Sequence, residues 1–198
     1  RAVEIAVVTH AHSDHARRGA KRYVSVESGI GLLRARLGKG IAVEGRRYGE
    51  RFRIGEATVS FHSAGHILGS AQVRVERGGE VWVASGDYKR DPDPSCDPFE
   101  PVRCDTFITE ATFGTPKYSW RKDARHGEDL ALWWSENASD GLNSIVFGYS
   151  LGKGQRILSE IELARRAGLV PDPDRPVLIH DSMVELTECY RAEGRPLA

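Results

Sequence analysis

Cysteine is scarce in this chain and follows no pattern. Cys96, Cys104 and Cys189 are odd in number and form no CxxC pair. That excludes a disulfide framework and a cysteine zinc knuckle, and a reducing cytosol is the simplest setting. No apolar stretch approaches membrane-spanning length and no signal peptide is visible, so the expectation is a soluble cytoplasmic protein without a membrane partner. An excess of one charge is also missing. The 28 basic and 28 acidic residues cancel, so any attraction to nucleic acid must come from a local patch. Repeats and low-complexity tracts are absent. The 198 residues suffice for one ordinary domain or parts of two. The chain begins at Arg1 rather than Met and stops at Arg195-Pro196-Leu197-Ala198, which reads as a piece of a longer protein.

What is present is concentrated in His10-Ala11-His12-Ser13-Asp14-His15. Three imidazoles and a carboxylate follow an apolar run, Ile5 to Thr9, that reads as a buried strand. Neutral imidazole beside a hard carboxylate is the donor set that zinc and similar divalent ions favour. His10 and His12 are two apart, so in extended backbone they point the same way. Asp14 and His15 are adjacent, where the chain turns, and can face a second ion. The one-turn ligand spacing of an HExxH site is missing. Two metals about 3.5–4 Å apart that share a hydroxide form a device for in-line attack on phosphate esters or acyl groups.

Organisation changes along the chain. Strands are expected over 22–26, 57–62, 70–76, 81–84 and 106–109, with a hairpin turn at Gly78-Gly79 and a Pro-rich loop from Asp91 to Pro101. The 57–62 strand alternates apolar and polar residues, as a half-buried strand should. A helix over 28–37 would be capped by Ser28 and ended by Gly38. Further on, helices over 124–138, 154–167 and 182–192 alternate with strands over 144–147 and 177–180, a parallel α/β pattern. The shift places a domain change near Gly114 to Trp120.

Two further sites resemble the first. Ser63-Ala64-Gly65-His66 follows one strand and Ser85-Gly86-Asp87 another. Each sets a ligand at a strand end next to a glycine that permits close backbone approach. Asp87 could bridge two cations with its two oxygens. The order HAHSDH, AGH, SGD, then Thr109-Glu110-Ala111-Thr112-Phe113-Gly114, resembles the metallo-β-lactamase fold in its β-CASP nuclease branch. Gly65 to Ala71, Ser85 to Lys89 and Pro98 to Cys104 are most similar to the bacterial ligase-associated DNA exonucleases. The fold implied is α/β, a partial metallo-β-lactamase αββα sandwich with part of an inserted β-CASP α/β domain. Residues 1–114 would be the lactamase-like domain, lacking its N-terminal hairpin and C-terminal return, and residues 115–198 part of the β-CASP domain.

The resemblance implies two zinc ions, with manganese as the alternative. His10, His12 and His66 would hold one, Asp14 and His15 the other, and Asp87 would bridge them. Glu110 would support the acid/base chemistry from beside the metals, in a motif that usually reads Glu-Ser-Thr, here with Ala111 for the serine. The family's early-strand Asp and two late His motifs are not in this sequence, and His180 matches neither late motif. The activity implied is zinc-dependent DNA exonuclease in end repair, with an ATP-dependent DNA ligase as a functional neighbour. Rivals are an RNA 3′-end-processing endonuclease, a small-molecule hydrolase, and an inactive nucleic-acid-binding subunit.

On the substrate side, Arg17, Arg18, Lys21 and Arg22 follow the first motif, and Lys89-Arg90 follow Asp87. Those charges are expected to ring the metal mouth and track a nucleic-acid backbone. The loop Gly148 to Arg156 is one residue short of a Walker A loop and lacks its Ser or Thr, which excludes ATP hydrolysis. A similar Gly-Lys-x-Gln segment opens a helix of the inserted domain in β-CASP proteins, a resemblance which implies that Lys153 meets a nucleic-acid phosphate at a helix N-terminus. Trp133 and Trp134 are expected in the core. Trp120, near Lys117 and Arg121, is the base-stacking candidate. His62 is read as a sheet residue and His126 as an exposed helix residue.

Overall fold

The computed structural model describes residues 3–120 and 124–198, so Arg1, Ala2 and positions 121–123, Arg121 among them, lie outside the described residues. The chain divides into two compact units, Arg1–Glu110 and Ala111–Ala198.

The first unit is built on two sheets. β1 (Val3–Val7), β2 (Ala20–Val26) and β3 (Val43–Arg46) form a parallel sheet in that order. β4 (Phe52–Ile54), β5 (Ala57–Ser63), β6 (Ala71–Arg77), β7 (Glu80–Ala84) and β8 (Thr106–Ile108) form the second, antiparallel except where β8 joins β7 in parallel. Val24 and Val26 of β2 pack with Val59 and Phe61 of β5 and Ala71 and Val73 of β6. Alternate residues from two sheets therefore share one core, the signature of a sandwich. The tight turn at Gly78-Gly79 joins β6 to β7, with φ of 61° and 88°, a left-handed pair that glycine adopts without strain.

Helix α1 (Ile30–Leu37) ends where expected, at Gly38 with φ 104°. Its start differs from expectation. The chain enters through a 3-10 turn, Glu27–Gly29, so Ser28 lies inside that turn and cannot cap. Gly29 is the N-cap, no side chain bonds there, and the Ser28 hydroxyl is buried without a hydrogen-bond partner.

The β5 strand is also not half-buried. Ser60 and Phe61 face opposite ways and both are buried. The reason is the Pro-rich loop. Glu100 N–H donates to the Ser63 carbonyl (3.0 Å), Gln72 Nε2 donates to the Glu100 carbonyl (2.6 Å) and the Ser63 hydroxyl donates to the Asp97 carbonyl (3.0 Å). His62, on the strand as expected, meets Glu100 Oε1 at 2.8 Å. The loop covers a face that local alternation would have left in water.

The second unit holds α2 (His126–Ser139), α3 (Lys153–Arg166) and α4 (Asp181–Ala192). Ala131, Ala164 and Val170 form its small core, with Trp134 packed against it. The strands expected over 144–147 and 177–180 are not formed among the described residues. A strand needs a neighbour to complete its ladder. Here Ile145, Phe147 and Leu178 stand 71%, 90% and 89% exposed. Trp133 is exposed as well, against the expectation of core burial, and His126 is exposed as expected. His180 is the N-cap of α4, its Nδ1 accepting from Ser182 N–H at 3.2 Å. No helix among the described residues is long and apolar enough to cross a membrane.

One ion pair organises the loop after β7. Lys89 Nζ donates to Asp93 Oδ2 at 2.6 Å, and Asp93 Oδ1 accepts from Ser95 N–H and Oγ. Burial alone would raise the Asp93 pKa, but the Lys89 and Ser95 hydrogen bonds outweigh it and hold the carboxyl below its ordinary value. The pair's contribution is therefore present at neutral pH and is lost as pH falls below the unfolded carboxyl's value, toward the folded one. Asp93→Asn leaves the ammonium against a neutral amide and should destabilise the fold by about 2–3 kcal/mol, read by chemical denaturation at pH 7.

Candidate metal centre

Three strand ends build the centre, each by the same step. His10 lies three residues beyond β1, His66 three beyond β5 and Asp87 three beyond β7. β5 and β7 are both antiparallel to β6, so they run the same way and end on the same edge. The parallel sheet is stitched to that edge by Ala71 N–H, which donates to the Thr9 carbonyl at 2.8 Å. After His12 the chain coils. His15 and Ala16 N–H both donate to the His12 carbonyl, which brings Asp14 and His15 back over the edge.

The His66 loop folds around a hydroxyl. Ser70 Oγ accepts from His66 N–H (3.0 Å) and Ile67 N–H (3.1 Å). Gly65, at φ +67°, lets this loop press on the β7 loop, because a Cβ there would sit 2.3 Å from the Lys89 carbonyl oxygen.

His10, His12, His66 and Asp87 each present one donor atom, all within 4.8 Å of one another. His10 Nε2 and His66 Nε2 lie 3.1 and 3.2 Å from His12 Nδ1. Nitrogens about 2.0–2.1 Å from one tetrahedral ion would be about 3.3–3.4 Å apart, so the three imidazoles fit such an ion with little movement. Asp87 Oδ2 stands 3.7 Å from His10 Nε2 and 3.6 Å from His66 Nε2. Its other oxygen, Oδ1, lies 3.1 Å from His15 Nε2, and Asp14 Oδ2 is 3.5 Å from that same nitrogen. The carboxylate thus faces His10 and His66 through one oxygen and His15 through the other.

Electrostatics keep the donors in the form a metal takes. Burial, then the neighbouring His15, His66 and His12, push the His10 pKa down to about 2. Burial and His12 push that of His66 down to about 4, against the pull of Asp87. Both imidazoles are neutral at pH 7, with lone pairs free for a cation.

The other expected residues divide. The Glu110 backbone N–H reaches Ser85 Oγ (3.4 Å), two residues before Asp87. The ring of cations expected around the metal mouth is not what the register makes. Val3 pairs with Ala20 and Ile5 with Arg22, and Val3 N–H donates to the Gly19 carbonyl. Parallel pairing returns the chain to the far end of β1, about 13 Å from the end that carries the histidines. Arg18 lies there against Gly38, Lys21 pairs with Glu4 and Arg22 with Glu44. The Arg17 carbonyl accepts from Tyr23 Oη, which in turn accepts from Ala20 N–H. Lys89 Nζ is paired with Asp93 Oδ2, and its charge also acts on His66.

In the second unit, Lys153 Nζ lies over the Tyr149 ring at 5.6 Å. Buried Gln155 closes the start of α3, accepting from Gly152 N–H and donating to the Ser150 carbonyl and Thr187 Oγ1. Trp120 is 65% exposed with its ring 5.4 Å from that of Phe113. Sequence reading missed Thr9, which contacts two of the histidines. Its only signal was its place immediately before the motif.

No protein-family model matches the chain. It is 32% identical to a probable DNA ligase of Opitutus terrae, over 94% of this chain and 18% of that protein. It is 31% identical to a ribonuclease of Thermus thermophilus, over 56% of this chain and 26% of the relative. It is 26% identical to an RNase J-like protein of Methanocaldococcus jannaschii, over 96% of this chain and 50% of the relative. The chain therefore spans between about a fifth and a half of the length of these curated relatives. A solved structure of a protein of unknown function from Enterococcus faecalis shares the fold at a TM-score of 0.59, with 12% identity over 92% of this chain and 48% of that one. The architecture is mixed α/β, consistent with a partial metallo-β-lactamase-like fold. These likenesses support a place in the metallo-β-lactamase/β-CASP nuclease family.

His12→Ala removes the nitrogen that stands nearest both other imidazoles. It should weaken zinc binding by more than roughly 100-fold, since even loss of a residue behind a ligand costs 10- to 100-fold. Isothermal titration with zinc reads the loss, and an unchanged circular dichroism spectrum separates it from unfolding.

Proposed function

We propose that this chain carries the metal centre of a zinc-dependent nuclease acting on DNA ends, an exonuclease of the β-CASP branch. In that reading residues 1–114 are the lactamase-like part and 115–198 part of the β-CASP domain. The observation that carries the proposal is the Asp87 carboxylate, with Oδ2 toward His10 and His66 and Oδ1 toward His15. A single ion would need only one of those oxygens. Two ions need both, and a two-ion centre suits a phosphodiester, whose attacking and leaving oxygens lie in line.

His10, His12 and His66 would hold one ion, His15 and Asp14 the other, and Asp87 both. When bound, the ions lower the pKa of water and polarise a phosphoryl oxygen. The remaining work falls to the chain. Asp14, its side chain 67% exposed and 3.5 Å from His15, lies where it can accept a proton from an incoming water. Glu110, whose backbone N–H reaches Ser85 Oγ at the base of the Asp87 loop, is the proposed support of the acid/base chemistry from beside the metals. Burial of His10 keeps bulk water from the inner side of the centre. For contact with the polynucleotide, Arg17 and Lys153 are the proposed cations and Trp120 the proposed stacking surface.

The likeness to a probable DNA ligase over nearly the whole of this chain favours DNA and a ligase as working neighbour, joined or separate. Ribonuclease and RNase J-like relatives favour the second reading, an RNA-cleaving enzyme with the same centre.

End-labelled DNA and RNA of one sequence, incubated with the zinc-loaded full chain with and without chelator, test the choice. Stepwise, chelator-sensitive shortening of DNA alone is the expected result, and Asp87→Ala should reduce it by at least about 10³-fold. Internal cuts confined to RNA would replace the DNA reading. Full activity in Asp87→Ala would remove the bridging role.

A further inference from the structure

Thr9 stands between the two halves of the centre. Its hydroxyl oxygen lies 3.1 Å from His10 Nδ1 and 3.3 Å from His15 Nδ1. The opposite nitrogens of the same rings point inward. His10 Nε2 is 3.1 Å from His12 Nδ1, and His15 Nε2 is 3.1 Å from Asp87 Oδ1. The two rings lie with centroids 4.1 Å apart.

A threonine hydroxyl has two lone pairs and can accept two hydrogen bonds. If both Nδ1 atoms carry protons and donate to Thr9 Oγ1, both Nε2 lone pairs are left bare and aimed at the centre. Which imidazole nitrogen is bare is decided by what the other one meets. The usual arrangement gives each ligand its own partner. Here one oxygen lies within reach of two imidazoles, which in the two-ion reading belong to different metal positions.

Thr9 is itself held in place. Its carbonyl accepts from Ala71 N–H at 2.8 Å. Gly86, at φ +56°, lays bare backbone against its side chain, where a Cβ would come within 2.7 Å of Thr9 Cβ. A β-branched side chain is already stiff about its first torsion, and this contact leaves it little room to turn.

We propose that Thr9 is a positioning residue that fixes the tautomer of one ligand in each of two metal positions and thereby couples their occupancy. This rests on the two-ion reading above. Removing the one oxygen loosens both positions together, which a residue serving a single ligand cannot do.

The test compares the zinc-loaded full chain with Thr9→Val, which keeps shape and branching but loses the oxygen, and Thr9→Ser, which keeps the oxygen. Ion count and affinity come from competition with a chromogenic chelator, and histidine protonation from long-range ¹H–¹⁵N correlation spectra. Wild type and Thr9→Ser are expected to bind two ions alike, with Nδ1 protonated in His10 and His15. Thr9→Val should lose roughly 10- to 100-fold in affinity for both ions at once. Wild-type affinity for both ions in Thr9→Val, or weakening of one ion alone, overturns the role. So does a wild-type spectrum with either Nδ1 unprotonated, a result that stands even if Thr9→Val does not fold. A wild-type chain that takes fewer than two ions removes the two-ion reading itself, and that failure is visible before any variant is made.

Discussion

Donor atoms that converge on one point repel wherever their lone pairs face one another, and the edge of this sandwich gathers four such atoms within 4.8 Å. Three are imidazole nitrogens, one ring of which is buried to 2% exposure. Such a gathering is unfavourable unless a cation or a shared proton sits among the lone pairs. The rest of the edge is arranged to hold it. Ser70 folds one loop, Ser85 ties another to the backbone of Glu110, and Ala71 joins the first sheet to the second through Thr9. Close backbone approach at Gly65 and Gly86 brings the loops nearer than side chains would allow.

The division of labour follows from strand direction. Strands that run the same way present their ends on the same edge, so ligands on short loops after β1, β5 and β7 converge without any long excursion. Rigid strands then fix each ligand to within the reach of the next, as precise sites require. The Pro-rich loop completes the support by burying the outer face of β5 and spending its own carbonyls on Gln72 and Ser63.

Much of this was legible in the sequence. The donor residues were visible because metal chemistry restricts both residue type and spacing, and Gly65 and Gly86 marked the loops that carry His66 and Asp87. Gly38 marked a helix end for the same reason, since only glycine rests easily at its φ. What local sequence could not give was anything set by partners far along the chain. The pairing of Val3 with Ala20 sends Arg18, Lys21 and Arg22 to the far end of the sheet, a fact of register and not of composition. Nor does local sequence show that the Lys89 ammonium pairs with Asp93. The alternation of β5 was read correctly as a strand and wrongly as half-buried, because the covering loop lies some thirty residues away in sequence. Segments 144–147 and 177–180 have strand-like composition, yet β structure depends on a neighbour that propensity does not supply.

The donor group at the sheet edge is made only of nitrogen and oxygen. The three cysteines stand outside it, Cys96 being buried. Peroxide and related oxidants attack thiolates first, turning them to sulfenic acids and beyond. A zinc site built on cysteine loses its metal by that route. This one offers such oxidants no sulfur to take, so that route of metal loss is closed to it.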